Sequence, residues 1–346
     1  MSVITVNGEI NPEGLGITSI HEHILLDLRK KLDNFRNNDG TAPSNEKVDI
    51  SNLYMLRRDH RALRDNLLLS DINLAIEELK EFKRAGGKTI VDMTNIGMGR
   101  DPIALQNISN MVDINIITGC GYYVEQLHPD YIKEKTENEI AQEMINDITV
   151  GIGKTDIRSG IIGEIGTSKE ILPSEKKVLK AASIAQKETG VALSIHIDPW
   201  SKNGLEVLDI LSTYDADFTR VIICHVDVDI DLNYCKAVVD KGATIEFDNF
   251  GKEYAGNKTG LVFMRDSERI KALKKIIDMG FISQLFVSTD ICLKTDLLKY
   301  GGHGYAHILK NIIPLMLKEG ITKKNIDTIL IENPKKLLNI ERNMSI

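Results

Sequence analysis

The 346-residue sequence has no Cys-x-x-Cys pair, and its four cysteines, Cys120, Cys224, Cys235 and Cys292, are scattered. That spacing excludes a dense disulfide scaffold or a zinc ribbon. Three of the four fall in or just beyond apolar strand-like runs, where a thiol serves as a small core group. No stretch approaches the roughly 20 apolar residues of a membrane span. The start, Met1-Ser2-Val3-Ile4-Thr5-Val6, has neither a basic cluster nor a long apolar segment. Cytoplasm is the expected compartment, with no membrane partner. Excess positive charge is missing as well: a formal net charge of −7 argues against nucleic acid or an anionic membrane surface as the default partner. There is no low-complexity tract, and 42% hydrophobic with 27% charged residues is ordinary for a globular chain able to bury a substantial core.

The order of the elements carries the fold. Asn7-Gly8 between short β-prone runs predicts a small β-ribbon over Val3 to Ile10, closing one end of the domain. Residues 27 to 70 form a long, highly charged insertion with an expected helix around Leu53 to Arg64. A regular alternation follows, beginning with a helix from Asp71 to Ala85, capped by Ser70 and stopped by Gly86-Gly87. With the opening run Ile17 to His23, the apolar strands number eight, those after the first starting near Thr89, Asn115, Gly160, Ala192, Arg220, Ala243 and Gln284. Three further helical segments, near His307 to Lys318, Lys323 to Ile331 and Pro334 to Ile340, finish the chain. Eight short apolar strands alternating with helices fit a (β/α)8 TIM barrel spanning 1–346 as one domain, with a short N-terminal β-ribbon and extra C-terminal helices. An open doubly wound sheet is the alternative. It calls for a Gly-rich phosphate turn after the first strand, and His21-Glu22-His23 occupies that place.

On a strand, His21 and His23 share a face, whereas on a helix they would diverge by about 200°. Alone, such a pair is read equally well as two hydrogen-bonded core histidines or as two ligands of one ion. The ends of the other strands separate these readings, because a (β/α)8 barrel gathers its reactive groups at the C-terminal ends of its strands. Strand four ends in Glu164, strand five in His196, strand six in His225 and strand eight in Asp290. Four of the eight histidines and two carboxylates, all metal-ligand types, thus converge on one mouth.

His21-x-His23, Gly163-Glu164-Ile165-Gly166-Thr167-Ser168, His196, His225 and Ser288-x-Asp290 resemble the motif set of the phosphotriesterase family within the amidohydrolase superfamily. The resemblance continues through Phe247-Asp248-x-x-Gly251-Lys252, Gly301-Gly302-x-Gly304-Tyr305 and Glu332-Asn333-Pro334, as in the phosphotriesterase-homology and lactonase-like branches. It implies a metal-dependent hydrolase in which His21, His23 and Asp290 hold one divalent ion, His196 and His225 hold a second, and Glu164 bridges both. The expected ions are two zincs, with manganese, iron or cobalt able to occupy the same ligands. A hydroxide between them would attack an ester-like or lactone carbonyl of a small-molecule substrate, with Asp290 accepting its proton. An acylated amine would suit the same hydroxide, and a catalytically silent metal-binding barrel is the reading from another class. Many relatives bridge the metals with a carboxylated lysine; here Glu164 supplies that carboxylate without carbon dioxide. Tyr123 matches a tyrosine near the metals in the lactonase-like branch, and a rim aromatic packing a loop is its other reading. Lys252, Arg265 and Lys294 lie in the loops after strands seven and eight, as an anion-binding subsite or simply as a charged rim. His303 is the additional loop residue to follow, His60, His128 and His307 being read as surface or loop groups. The resemblance also makes a homodimer the expected assembly.

Overall fold

The computed structural model describes residues 1–33, 35, 36, 40–253, 255, 256 and 261–340. Eight parallel strands form a single sheet in chain order: β1 (Thr18–Glu22), β2 (Thr89–Asp92), β3 (Asn115–Cys120), β4 (Ile161–Gly166), β5 (Leu193–His196), β6 (Val221–Ile223), β7 (Thr244–Phe247) and β8 (Leu285–Val287). Each of the first seven is followed by a helix: α1 (Ile72–Arg84), α2 (Pro102–Val112), α3 (Glu137–Thr149), α4 (Pro173–Thr189), α5 (Gly204–Ser212), α6 (Leu232–Asp240) and α7 (Asp266–Asp278). This is the expected (β/α)8 TIM barrel. Its strands are apolar on both faces because both are covered. Inward, Ile20, Val91, Ile117, Ile161, Ala192, Ile222 and Phe286 pack together; outward, Ile162, Leu193, Val221 and Ile245 meet the helices.

The ends of the chain plug the barrel floor. Val3–Thr5 pairs with Gly8–Ile10 through a turn in which Gly8 adopts φ +102°, as the Asn-Gly signal requires. Val3, Leu15, Leu337 and Leu338 then join the inward-facing cluster. The expected C-terminal helices run longer than their prolines suggest. Wide helical turns over Ile308–Ile312 and Thr328–Glu332 lead directly into Ile313–Lys318 and Asn333–Leu338. Each wide turn stands just before a proline, Pro314 or Pro334, whose ring would collide with the carbonyl of an ordinary preceding turn. Two local expectations fail. The helix placed at Leu53 to Arg64 shrinks to Leu53–Leu56, since Asp59 turns back to accept the Arg61 amide; and α1 is capped by Asp71, whose carboxylate accepts the Leu74 amide, rather than by Ser70. No helix among the described residues is long and apolar enough to cross a membrane.

The seam between the first and last strands bears on the site. Beyond β8 the chain is tied to β1 by Asp290 N–H to the His21 carbonyl and His23 N–H to the Ile291 carbonyl, both 3.2 Å. Glu22, fully buried between the two histidines, locks the junction: its carboxylate accepts from Thr289 N (3.0 Å), Thr289 Oγ1 (2.6 Å), Ile291 N (2.8 Å) and Ser19 Oγ (2.7 Å). Burial pushes this carboxyl up, partly offset by those donors. Glu22→Gln turns one acceptor into a donor facing an N–H or O–H, so a loss of about 2 kcal/mol is expected in urea denaturation. An unchanged midpoint would show that the junction is held by something else.

Candidate metal centre

Strand alternation turns His21 and His23 to one side, and the seam brings Asp290 to the same place. His23 Nε2 lies 3.4 Å and His21 Nε2 3.8 Å from Asp290 Oδ1. Glu164, at the mouth end of β4, reaches the middle of the group. Its Oε1 is 3.3 Å from His23 Nε2, and its Oε2 is 3.2 Å from His196 Nδ1, 3.7 Å from His21 Nε2 and 3.8 Å from His225 Nε2. All six expected ligands therefore meet, five of them buried and His196 half-buried.

Most of these separations are too long for hydrogen bonds, and they suit ligands of a shared ion: donors about 2.1 Å from a tetrahedral zinc stand about 3.4 Å apart. Both ring nitrogens of His21 and Glu164 Oε2 are buried with no hydrogen-bond partner, a costly arrangement unless a cation occupies the space between. The donor set thus fits one or more divalent ions. Among the described residues, His21, His23 and Asp290 offer atoms mutually within 4.8 Å, and so do His21, Glu164 and His225. His196 Nδ1 and His225 Nε2 are 2.7 Å apart, a hydrogen bond that must open for both to ligate.

The field of the site favours cations. Burial pulls the His23 imidazole down, but Asp290 and Glu164 outweigh it and raise it to about 10; His21 is lifted to about 9, with Glu246 the strongest of the carboxylates opposing burial. For Glu164 burial acts upward, yet His196, His225 and His23 hold the carboxyl well below its usual range. His196 goes the other way, to about 4, through burial and then the neighbouring His225.

Around the candidate ligands lie Asp248, quoted in the sequence only within the Phe247-Asp248 motif, and Glu246, Thr94 and Asp92, which were not singled out as site groups. Asp248 accepts His225 Nδ1 (2.8 Å) and the His225 amide (2.8 Å), fixing the ring. Glu246 Oε2 stands 3.4 Å from His21 Nδ1, and Thr94 Oγ1 is 2.9 Å from His23 Nδ1. Asp92 accepts the Ile24 and Thr94 amides, shaping the turn beside His23. Asp248 and Glu246 end strand seven, so the rule that located Glu164 and Asp290 also pointed to them.

The candidate catalytic and substrate residues divide. Tyr123 sits beside the ligands, its hydroxyl 3.2 Å from both ring nitrogens of His196; burial first, then Glu164 and Asp290, keep it a phenol. Lys252 bonds to Asp290 Oδ2 and lies 3.4 Å from Cys292 Sγ, a half-buried thiol that packs against the core and also borders the site. Lys294 is brought instead to Asp65, 2.8 Å away, because the 27–70 insertion folds onto its loop. Arg265 is exposed, its amide bonded to Glu268 at the start of α7. His303 stacks over Gly251, whose φ of +92° and lack of a Cβ permit the approach: a Cβ there would lie 2.3 Å from the ring. With His60, Arg57, Asp296 and Tyr300 it lines a cavity of about 580 Å³ next to the Lys252 loop, none of the six ligands among its walls. His128 is a buried packing group bonded to the Tyr123 carbonyl (2.7 Å), and His307 is bonded to Asp266 (2.8 Å).

Comparison with known proteins gives a consistent picture. The phosphotriesterase family model matches residues 1–338. A phosphotriesterase-related protein of Nematostella vectensis is 39% identical over 338 residues, covering 96% of each chain. An N-acetyltaurine hydrolase of Dictyostelium discoideum is 37% identical over 364 residues, covering 97% of each. Among solved structures, a resiniferatoxin-binding protein from Rhodobacter sphaeroides superposes with a TM-score of 0.94 at 32% identity, covering 98% of this chain and 95% of that one.

Proposed function

The chain belongs to the phosphotriesterase family, and on that premise we propose that it is a metal-dependent amide hydrolase acting on N-acylated amines. The observation that carries the hydrolase reading is the meeting of His21, His23, His196, His225 and Asp290 around one buried carboxylate, Glu164. The choice of amide over the ester or lactone first expected rests on the N-acetyltaurine hydrolase at 37% identity along nearly the whole chain.

In this reading His21, His23 and Asp290 would hold one zinc and His196 and His225 the other, with Glu164 as the carboxylate available to both groups. When bound, the two ions supply hydroxide at neutral pH and polarise the scissile carbonyl. The chain's own groups do the rest. Asp290 takes the proton released on attack and returns it to the departing nitrogen, a step an amide needs because an unprotonated amine anion is a very poor leaving group. Lys252 holds Asp290 anionic until that transfer. Tyr123, kept protonated, donates a hydrogen bond to the substrate at the His196 side. Asp248 keeps His225 Nε2 turned to the centre by binding Nδ1.

Stripping the protein with a chelator is expected to abolish hydrolysis, and reconstitution to restore it with about two zincs per chain. N-acetyltaurine, other N-acyl amines, γ-lactones and carboxylate esters should be assayed on the reconstituted protein. Amide turnover at least tenfold above lactone and ester turnover is the expected result; the reverse order returns the assignment to a lactonase or esterase.

A further inference from the structure

Of the cations expected to receive an acidic substrate, Lys252 and Lys294 are engaged by Asp290 and Asp65, and Arg265 is exposed at the start of α7. The insertion supplies a different one. Arg29–Leu32 forms a tight helical turn in which Leu32 is buried with Leu67 and Leu293, so the backbone of Lys31 is anchored over the mouth. Its neighbours spend their charge locally: Arg29 forks onto Asp27 (2.9 and 2.7 Å), and Arg64 reaches Asp33 (3.2 Å) and the Arg29 carbonyl (3.1 Å).

Lys31 has no such partner. Among the described residues no carboxylate lies within ion-pair distance of its ammonium, which is half-buried against Tyr123, 3.5 Å from the hydroxyl and 4.9 Å from the ring centroid. That hydroxyl is itself 3.2 Å from His196 Nδ1, so Lys31 Nζ stands two short steps from a ligand of the centre and feels the charges of Glu164 and Asp290. Arg61, from the same insertion, is also within electrostatic reach of Lys31, but it lies over the Phe35 ring at 4.1 Å with its Nε 3.6 Å from Asp59 Oδ1, so its charge too is spent locally. A half-buried ammonium held at a mouth with no carboxylate of the described residues in ion-pair range is costly unless an anion joins it there.

We propose that Lys31 determines specificity by binding an acidic group carried by the amine part of the substrate. This rests on the amide-hydrolase reading for its substrate, and a binding measurement keeps the two separable.

The test compares N-acetyl-β-alanine, its sulfonate counterpart and neutral N-acetyl-β-alaninamide on zinc-reconstituted wild type, Lys31→Met, Lys31→Gln and Lys31→Arg, by kcat/KM and by titration calorimetry. Wild type is expected to favour the acids over the neutral amide by 10- to 100-fold in both readouts, as a charge-assisted hydrogen bond allows. Lys31→Met and Lys31→Gln should lose at least tenfold of that preference, and Lys31→Arg should retain most of it. The ratio of carboxylate to sulfonate identifies which acid the site takes. Equal affinity of wild type for acid and neutral amide, or a preference undiminished in both Lys31→Met and Lys31→Gln, overturns the assignment. Selective binding of the acids without hydrolysis would sink the amide-hydrolase reading and leave the role of Lys31 standing.

Discussion

Asp290→Asn is expected to lower kcat for an N-acyl amine by about 10²- to 10⁴-fold, the range for losing a proton-transferring group. Asparagine keeps the size of the side chain and an oxygen for His21 and His23 to face, but it cannot carry a proton from the attacking water to the leaving nitrogen. The field around the side chain is arranged for that task. Burial acts to raise the carboxyl, while Lys252 and then His23 and His21 hold it far below the ordinary range, so it is anionic and ready to accept. The measurement is kcat together with zinc content. A variant that keeps its zinc and retains more than a tenth of wild-type turnover would remove Asp290 as the proton carrier. Loss of zinc in parallel with activity would instead make its principal task ligation.

Arg269→Met is expected to cost about 3–5 kcal/mol of folding stability, the range for stranding one partner of a buried ion pair. Arg269 is fully buried on α7 and serves three segments at once. Its Nε stands 2.9 Å from Asp227, Nη1 donates to Asp266 (3.0 Å), and Nη2 donates to the Lys252 carbonyl (3.2 Å). Asp227 in turn accepts the amide and side chain of Asn249, and Asp266 accepts the Gly251 amide (2.9 Å). The guanidinium is therefore the anchor of the loop that delivers Lys252 to Asp290. Methionine matches much of the volume and leaves Asp227 without its countercharge. Urea denaturation of the zinc-reconstituted protein is the check; a shift below about 1 kcal/mol would mean that the loop is secured without Arg269.

The barrel was legible because parallel strands covered on both faces read as short, continuous apolar runs, and eight such runs alternate with capped helices. The meeting of the candidate ligands was legible because a barrel exposes the residues at one end of every strand, which turns a sequence position into a spatial one. Positions outside that rule were not. Lys294 and Lys31 are both lysines in charged loops, and only the folding of the 27–70 insertion onto the barrel mouth decides that Asp65 takes one and that Tyr123 backs the other. Cys292 read as core because it follows an apolar strand, and it does pack against the core, but its nearness to Lys252 depends on the fold of the loop after strand seven. Glu22 was visible as the middle residue of His21-Glu22-His23, but its alternation to the opposite face concealed its partners, which lie on the far end of the chain. The helix through Pro314 was legible, but the segments expected to part before Pro334 run on because a wide turn there makes room for the ring, a backbone adjustment that composition does not announce.

The join between β1 and β8 gives the protein a built-in order of assembly. Glu22 and Thr289, 267 residues apart, meet only when the last strand closes the ring, and the histidines flanking Glu22 acquire Asp290 in the same event. With only the strands through β7 in place, the two imidazoles have Glu164 beside them but not Asp290. Asp290 joins His21 and His23 only as the ring closes, so a cation held by these three side chains would rivet the first strand to the last.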